Sequence, residues 1–299
     1  MFRLIQLTDL HIAPLPALKL SQLWGKRLTG WLNWHKGRHR VHNRDILEQL
    51  IHAVVAQKAD HIACTGDTTN LSLPQEWITS ADILKKLGNP EDVSFVPGNH
   101  DAYVEGALEG LLETVRPYVL GDSAQDIHFP YVRRRGKITL IGLSSAIPTP
   151  PFKAYGQLGS KQLQELEKLL LELGQDHSCC RVIMIHHPPL IGGTSPAREL
   201  KDSAAFEEVI KKAGAELVIY GHNHRTSIAH IAGPQQAVPV IGAPSASASK
   251  ADATHRAAYH LFKIEDKDNG HVITLERHGL DETGHDLLLE TRQLTPERQ

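Results

Sequence analysis

The sequence predicts an α/β layered fold, in which short β-strands alternate with amphipathic helices. Three observations carry that prediction. Short apolar, β-branched runs recur along most of the chain. Longer stretches with apolar residues at helical spacing separate them. Polar residues suited to binding metal fall repeatedly just after the apolar runs, where loops fan out from the strand ends of an open sheet.

The first strand is expected over residues 3–7. No charged leader, long apolar run or small-residue cleavage site accompanies it, so the expected location is cytoplasmic. Further strands are expected at 61–65, 93–96, 138–143, 181–185, 217–220 and 238–241. Residues 44–57 place Ile46, Leu47, Leu50, Ile51, Val54 and Val55 on one helical face, and residues 160–173 repeat Leu163, Leu166, Leu170 and Leu173 likewise. Weaker helical patterns cover 74–87 and 200–212. Toward the C-terminus, residues 258–264 and 271–275 are strand-like, with Asp268, Asn269 and Gly270 as a hairpin turn between them. Closure of a second sheet, not a new domain, is expected there. Residues 1–280 therefore form a single predicted domain, and 281–299 a polar, loosely held tail.

Bulk properties narrow the function. At 299 residues, 41% hydrophobic and 22% charged, the chain is long and apolar enough to bury a full core, which excludes disordered and fibrous classes. Its net charge of -2 exerts no global pull toward nucleic acid or anionic membrane. The three cysteines, Cys64, Cys179 and Cys180, are odd in number with two adjacent, which suits a reducing compartment and no disulfide framework. Cys64 lies in a buried-strand pattern and reads as a small hydrophobe. No stretch approaches the roughly 18 consecutive apolar residues of a membrane span.

The candidate site is a set of strand-end residues. Asp9 and His11 follow the first strand, Asp67 the second, and Asn99 and His100 the third. His186 ends the run of residues 182–185, and His222 and His224 follow residues 217–220. Gly66, Gly98 and Gly221 precede these positions and can take positive φ, turning the chain sharply into the crevice. Carboxylate, amide and imidazole without thiolate suit Mn²⁺, Fe or Zn²⁺. Seven donors, Asp9, His11, Asp67, Asn99, His186, His222 and His224, imply two ions.

In this order, Asp9-x-His11, Gly66-Asp67, Gly98-Asn99-His100-Asp101, His186 and Gly221-His222-x-His224 resemble the calcineurin-like metallophosphoesterase superfamily. The pattern is most similar to its bacterial class III cyclic nucleotide phosphodiesterase and glycerophosphodiesterase branch. The resemblance implies a four-layer sandwich: two facing mixed β-sheets flanked by helices, with the ligands on loops at one end. It implies that Asp9, His11 and His224 hold one divalent metal, that Asn99, His186 and His222 hold the other, and that Asp67 bridges them. His187, next in the His-His-Pro-Pro run, would support these ligands. A hydroxide bridging the metals would attack phosphorus, with Asp67 and Asn99 in the catalytic set. His100 would protonate or stabilise the leaving oxygen and Asp101 would orient His100.

The function so implied is a phosphodiesterase acting on cyclic nucleotides or glycerophosphodiesters. A phosphomonoesterase and a pyrophosphatase on a UDP-sugar lipid are the alternatives on the same dinuclear site. A catalytically inactive protein-binding scaffold is the alternative of another class, against which the complete ligand set stands. Ser144 and Ser145 lie after the fourth strand, where a substrate or supporting contact competes with a turn role. Gly192 and Gly193 read either as a substrate-admitting loop or as a plain connector.

An insert at residues 12–44 stands apart. From Leu10 to Arg44 there is no acidic residue, while Lys19, Lys26, Arg27, Lys36, Arg38, Arg40 and Arg44 supply seven positive charges. His35, His39 and His42 can add charge at lower pH. Trp24, Trp31 and Trp34 lie here too, and Leu20, Leu23, Trp24, Leu28, Trp31 and Leu32 can share one helical face. Three roles stay open: a lid packed on the core or on a second subunit, which is preferred; a basic lid drawing in a small phosphorylated substrate; and peripheral contact with anionic lipid. Nucleic acid is disfavoured, since no binding motif accompanies the charge.

Overall fold

The computed structural model describes residues 1–249, 255–267 and 270–294. Two sheets of six strands organise it. In the first, β1 (Phe2–Leu7), β2 (His61–Cys64) and β3 (Val93–Phe95) run parallel. The antiparallel ribbon β10 (Ala258–Lys267), β11 (Gly270–Leu280) and β12 (Asp286–Gln293) extends it beyond β1. In the second, β5 (Ile138–Gly142), β6 (Cys180–Met184), β7 (Leu217–Tyr220) and β9 (Val238–Gly242) are parallel. Antiparallel β4 (Tyr131–Arg135) and β8 (Ser227–Ile231) close its edges. This is the mixed two-sheet sandwich that the residue pattern implies.

Side-chain alternation explains the layers. Along β5, β6, β7 and β9, Leu140, Val182, Met184, Leu217, Ile219 and Ile241 enter the core shared with the first sheet. Their neighbours Ile141, Ile183, Val218, Tyr220 and Val240 enter a second core. Strands buried on both faces read as nearly continuous apolar runs, which is why the sequence shows them clearly.

Seven α-helices, taken in chain order, flank the sheets among the described residues. They are α1 (Lys26–Asn33), α2 (His39–Val41), α3 (Arg44–Ala56), α4 (Pro74–Leu87), α5 (Ala107–Thr114), α6 (Gly159–Leu173) and α7 (Ser203–Ala213). Leu47, Leu50, Ile51 and Val54 of α3 and Ile83, Leu84 and Leu87 of α4 pack on the first sheet. Leu163, Leu166 and Leu170 of α6 and Phe206 and Ile210 of α7 cover the second. Asn43 caps α3, its Oδ1 accepting from Asp45 N at 2.8 Å and Ile46 N at 3.2 Å. No helix among the described residues is long and apolar enough to cross a membrane.

Two expectations change. Part of the expected polar tail forms β12, paired with β11 from Leu280 opposite Asp286 to Thr274 opposite Gln293. Its charged composition suits an exposed edge strand, which hid it. The expected hairpin turn falls at Asp268 and Asn269, outside the described residues, although Lys267 and Gly270 on either side are paired. The insert is not one long helix. Gly25, at φ 64, breaks the chain before α1, and α1 gives way to a π-helical turn at Trp34–Arg38. Its apolar residues therefore divide. Trp34 is buried, Trp31 packs with Leu71, Leu73 and Tyr103, and Leu20, Trp24, Leu28 and Leu32 face outward.

Candidate metal centre

Every sequence-predicted donor sits on a loop at the carboxyl end of a parallel strand, five loops in all. Beyond β1 and β2 the chain stays paired: Asp9 N donates to Gly66 O at 2.9 Å, His11 N to Asp67 O at 3.0 Å and Ile12 N to Thr68 O at 3.1 Å. Gly221 N donates to His186 O at 3.0 Å, joining the β6 and β7 loops. His222 N donates to Asp9 Oδ2 at 2.9 Å, joining the two sheets.

Backbone strain is concentrated here. Asp9 (φ 52), His11 (φ 39), Asp67 (φ 54), His222 (φ 69) and His224 (φ 52) are all left-handed. Such residues cost on the order of 1–3 kcal/mol each and persist only where the surroundings over-determine them. The glycine expectation is partly corrected. Gly66 does take φ 97, but Gly98 and Gly221 do not lie in the left-handed region. They are required by close approach: a Cβ on Gly98 would stand 2.2 Å from Asp67 Oδ1, and one on Gly221 2.0 Å from Thr8 Oγ1.

All seven donors converge. Asp67 Oδ2 lies 3.3 Å from His186 Nε2 and 3.8 Å from His11 Nε2. Asp9 Oδ1 is 3.0 Å from His224 Nε2 and 3.8 Å from His11 Nε2. His186 Nε2 is 3.3 Å from Asn99 Oδ1 and 3.2 Å from His222 Nδ1. Ligand atoms of Asp67, His186 and His222 fall within 4.8 Å of one another, as do those of His11, Asp67 and His100.

The protonation pattern suits cations. His11 Nδ1 contacts Thr69 O at 3.1 Å and His186 Nδ1 contacts Thr65 O at 2.8 Å. A carbonyl only accepts, so each Nδ1 carries a hydrogen and each Nε2 faces the cluster, with a lone pair on His11 and, on His186, a proton that a cation would displace. Burial, with Arg38 nearby, holds His11 well below the ordinary histidine range. Burial opposes charge on Asp67, yet His186 and His100 keep its carboxyl well below the usual range. For His186 burial is outweighed by Asp67, which lifts it to about 9. Asp9 Oδ1 is buried against the His224 ring without a well-aligned hydrogen bond, and His222 Nε2 is buried without any hydrogen-bond partner. Buried oxygen and imidazole atoms left unpaired in this way fit divalent cations, and the donor set fits Mn²⁺, Fe or Zn²⁺.

The surroundings assign other residues differently from the sequence. Asp101 does not touch His100. It accepts from Asp67 N at 2.7 Å, Gly98 N at 2.9 Å and Thr69 N at 3.1 Å, and so organises the Asp67 loop. His100 instead sends Nδ1 to Asn70 O at 2.6 Å and receives Arg38 Nη1 on Nε2 at 2.7 Å. His187 is held by Ser145 Oγ at 2.7 Å and Ala154 O at 3.2 Å, tilted against the His222 ring. Ser145 thus makes a supporting contact. His42, expected to add charge at low pH, is buried beside His11 and His224 and pushed down to about 2 by burial and Arg38. Arg38 was not singled out within the insert; its position on an acid-free segment that starts beside His11 was the available signal.

A family model described as calcineurin-like phosphoesterase matches residues 2–226. The chain belongs to the calcineurin-like phosphoesterase family. That membership makes it a phosphoesterase by class, and the buried aspartate and histidine groups of the site could hold metal ions. The phosphoesterase is 26% identical over 205 residues to a probable cyclic nucleotide phosphodiesterase of Rhodococcus erythropolis. That match covers 67% of this chain and spans 62% of the relative's length. Its fold is similar to that of a dimetal phosphatase from Danio rerio, with TM-score 0.65 and 14% identity, covering 96% of this chain and 98% of the other. It also resembles a purple acid phosphatase from seeds of yellow lupin (Lupinus luteus), with TM-score 0.60 and 13% identity, covering 98% and 53%. At those identities the structural likeness concerns the fold of the phosphoesterase.

Proposed function

We propose that this phosphoesterase hydrolyses phosphodiester bonds, with cyclic nucleotides or glycerophosphodiesters as substrate class and two divalent cations held in the cluster. The observation that carries the reading is the Asp67 carboxylate, whose Oδ2 stands between His186 Nε2 at 3.3 Å and His11 Nε2 at 3.8 Å. Asp9, His11 and His224 would hold one ion, Asn99, His186 and His222 the other, and Asp67 would serve both. Two bound cations supply a water nucleophile at neutral pH and neutralise charge on the phosphoryl oxygens. Asn99 turns Oδ1 toward His186, which leaves its Nδ2 to donate to a phosphoryl oxygen. His100 carries its hydrogen on Nδ1, and burial and Arg38 bring it down to about 3. In the free chain it is therefore a neutral acceptor for Arg38, and protonating or stabilising the leaving oxygen stays its proposed role. Similarity to a probable cyclic nucleotide phosphodiesterase supports a diester over a monoester or a UDP-sugar lipid.

A panel of bis-aryl phosphate, mono-aryl phosphate, a cyclic nucleotide and a sugar nucleotide, each with Mn²⁺, tests this choice. Diester turnover at least about tenfold above monoester turnover is expected, a difference of roughly 1.4 kcal/mol in barrier. Absence of diester turnover anywhere in the panel rejects it.

The reading extends to peripheral contact of the insert with an anionic bilayer. Leu20 and Trp24 are 87% and 83% exposed, and Leu28 and Leu32 are exposed as well. Lys19, Lys36 and Arg40 are exposed on the same acid-free segment, so the charge complements an anionic surface. Vesicles containing phosphatidylglycerol should retain the protein in flotation, with a loss of at least about fivefold in a Trp24→Ser, Leu28→Ser variant, near 1 kcal/mol. Equal retention of the variant, or none of the wild type, removes this contact.

A further inference from the structure

The insert carries two cations to the metal cluster, and neither forms an ion pair with a carboxylate among the described residues. Arg38 is the nearer. Its Nη1 stands 2.7 Å from His100 Nε2 and its Nη2 2.9 Å from His11 Nε2. Both imidazoles keep their hydrogen on Nδ1, against Asn70 O and Thr69 O. The guanidinium therefore donates into two lone pairs that face the cluster. Lys26 lies further along the same wall. Its Nζ donates to Thr149 Oγ1 at 2.6 Å and sits 4.7 Å over the Tyr103 ring, which in turn stacks on His100 at 5.3 Å.

The insert is anchored on both sides of Arg38. Arg27 donates to Leu71 O at 3.1 Å and Ser72 O at 2.6 Å, fixing α1. At Gly30 a Cβ would stand 2.2 Å from the Tyr103 hydroxyl, so α1 lies tight against that wall. Beyond Arg38, Asn43 N donates to Ser247 O at 2.9 Å, and the His42 ring meets Ser247 Oγ at 2.8 Å. Arg38 is thus delivered to the cluster by a segment pinned at both ends.

The half-buried guanidinium has no carboxylate partner among the described residues, so its donors are left for an anion to complete. The His11 Nε2 lone pair, moreover, cannot serve both Arg38 and a ligated cation. Were His11 engaged as a metal ligand, the guanidinium hydrogens that it now accepts would be free for another acceptor. A planar fork of donors there matches the oxygens of a phosphoryl group.

We infer that Arg38 is a substrate-binding residue of this site, parked on His11 and His100 in the free chain and turned onto the non-bridging oxygens of the phosphoryl group when substrate binds. The inference rests on the dinuclear reading above and adds to it a ligand contact supplied by the insert. Lys26 contributes positive potential along the wall without touching the phosphoryl group.

Calorimetric binding of inorganic phosphate to Mn²⁺-loaded protein separates this inference from the phosphodiesterase reading, because it needs no turnover. Arg38→Ala should weaken phosphate binding at least tenfold, with manganese content per chain unchanged. Arg38→Lys should bind with intermediate affinity, since it keeps the charge and loses the fork. On any diester that is turned over, Arg38→Ala should raise KM. Phosphate binding by Arg38→Ala within twofold of wild type overturns the inference. Arg38→Gln serves as a second variant of similar length: loss of manganese from it as well as from Arg38→Ala would make Arg38 a support for the metal ligands and overturn the inference too. Phosphate binding that depends on Arg38 in a protein inactive on every diester would reject the phosphodiesterase reading and leave the Arg38 contact standing.

Discussion

Asp67→Ala is expected to release both metal ions and to abolish metal-supported turnover. Among the described residues, Asp67 is the carboxylate whose oxygen approaches a donor of each proposed trio, at 3.3 Å from His186 Nε2 and 3.8 Å from His11 Nε2. Its other oxygen, Oδ1, accepts His100 N at 2.7 Å, so the carboxylate also fixes the loop after β3. Removing it leaves His11, His186 and His222 facing one another without the negative charge that now offsets their crowding. Losing a partner of a ligand typically costs 10–100-fold in metal affinity or activity, so loss of the shared ligand should exceed about 100-fold. Metal analysis of purified Mn²⁺-loaded variant and wild type, together with the diester assay, measures both effects. Wild-type metal content in Asp67→Ala would end the two-ion reading, and under half a metal per chain in the wild type would favour the scaffold alternative.

Asp101→Ala should produce the largest loss of stability, although Asp101 faces no proposed metal. Its buried carboxylate gathers backbone hydrogens from Asp67, Gly98 and Thr69 and also accepts the Thr68 and Thr69 hydroxyls. Burial, with Asp67 adding, pushes the carboxyl up to about 6, while the backbone donors from Gly98 and Thr69 pull against that shift. Truncation strands three buried N–H groups, and at about 1–3 kcal/mol for each unsatisfied group the expected loss is about 3–6 kcal/mol after partial relaxation. Urea unfolding of the metal-free variant gives this directly. Asp101→Asn, which retains one acceptor oxygen, should lose less. A shift below about 1 kcal/mol in Asp101→Ala would show that the loop does not depend on these bonds.

The candidate metal donors could be read from the sequence because each follows a strand that is buried on both faces and so stands out as an apolar run. The strands missed lie at edges. In β4, Arg133, Arg134 and Arg135 mask the pattern, yet Arg133 is buried, donating to the carbonyls of Val93, Pro117 and Leu120. In β12 the acidic and basic residues that suit an exposed edge resemble those of a free tail. Helix α5 was missed as well, being short and uncapped by a side chain. The insert failed for a different reason. A helical wheel treats residues 20–32 as one face, but the break at Gly25 and the π-helical turn at Trp34–Arg38 rotate its aromatics apart.

By itself the sequence determined the kind, order and strand-end placement of the donors, because apolar periodicity and the residue that follows each strand are local properties of the chain. Tertiary structure alone decided which partner each polar side chain meets. Asp101 turned from His100 to the Asp67 loop, and Arg38 crossed 62 residues of sequence to reach His100. The physical reason is that a hydrogen bond depends on distance and direction to an acceptor, and those acceptors are brought into range only when the two sheets and the insert have packed together.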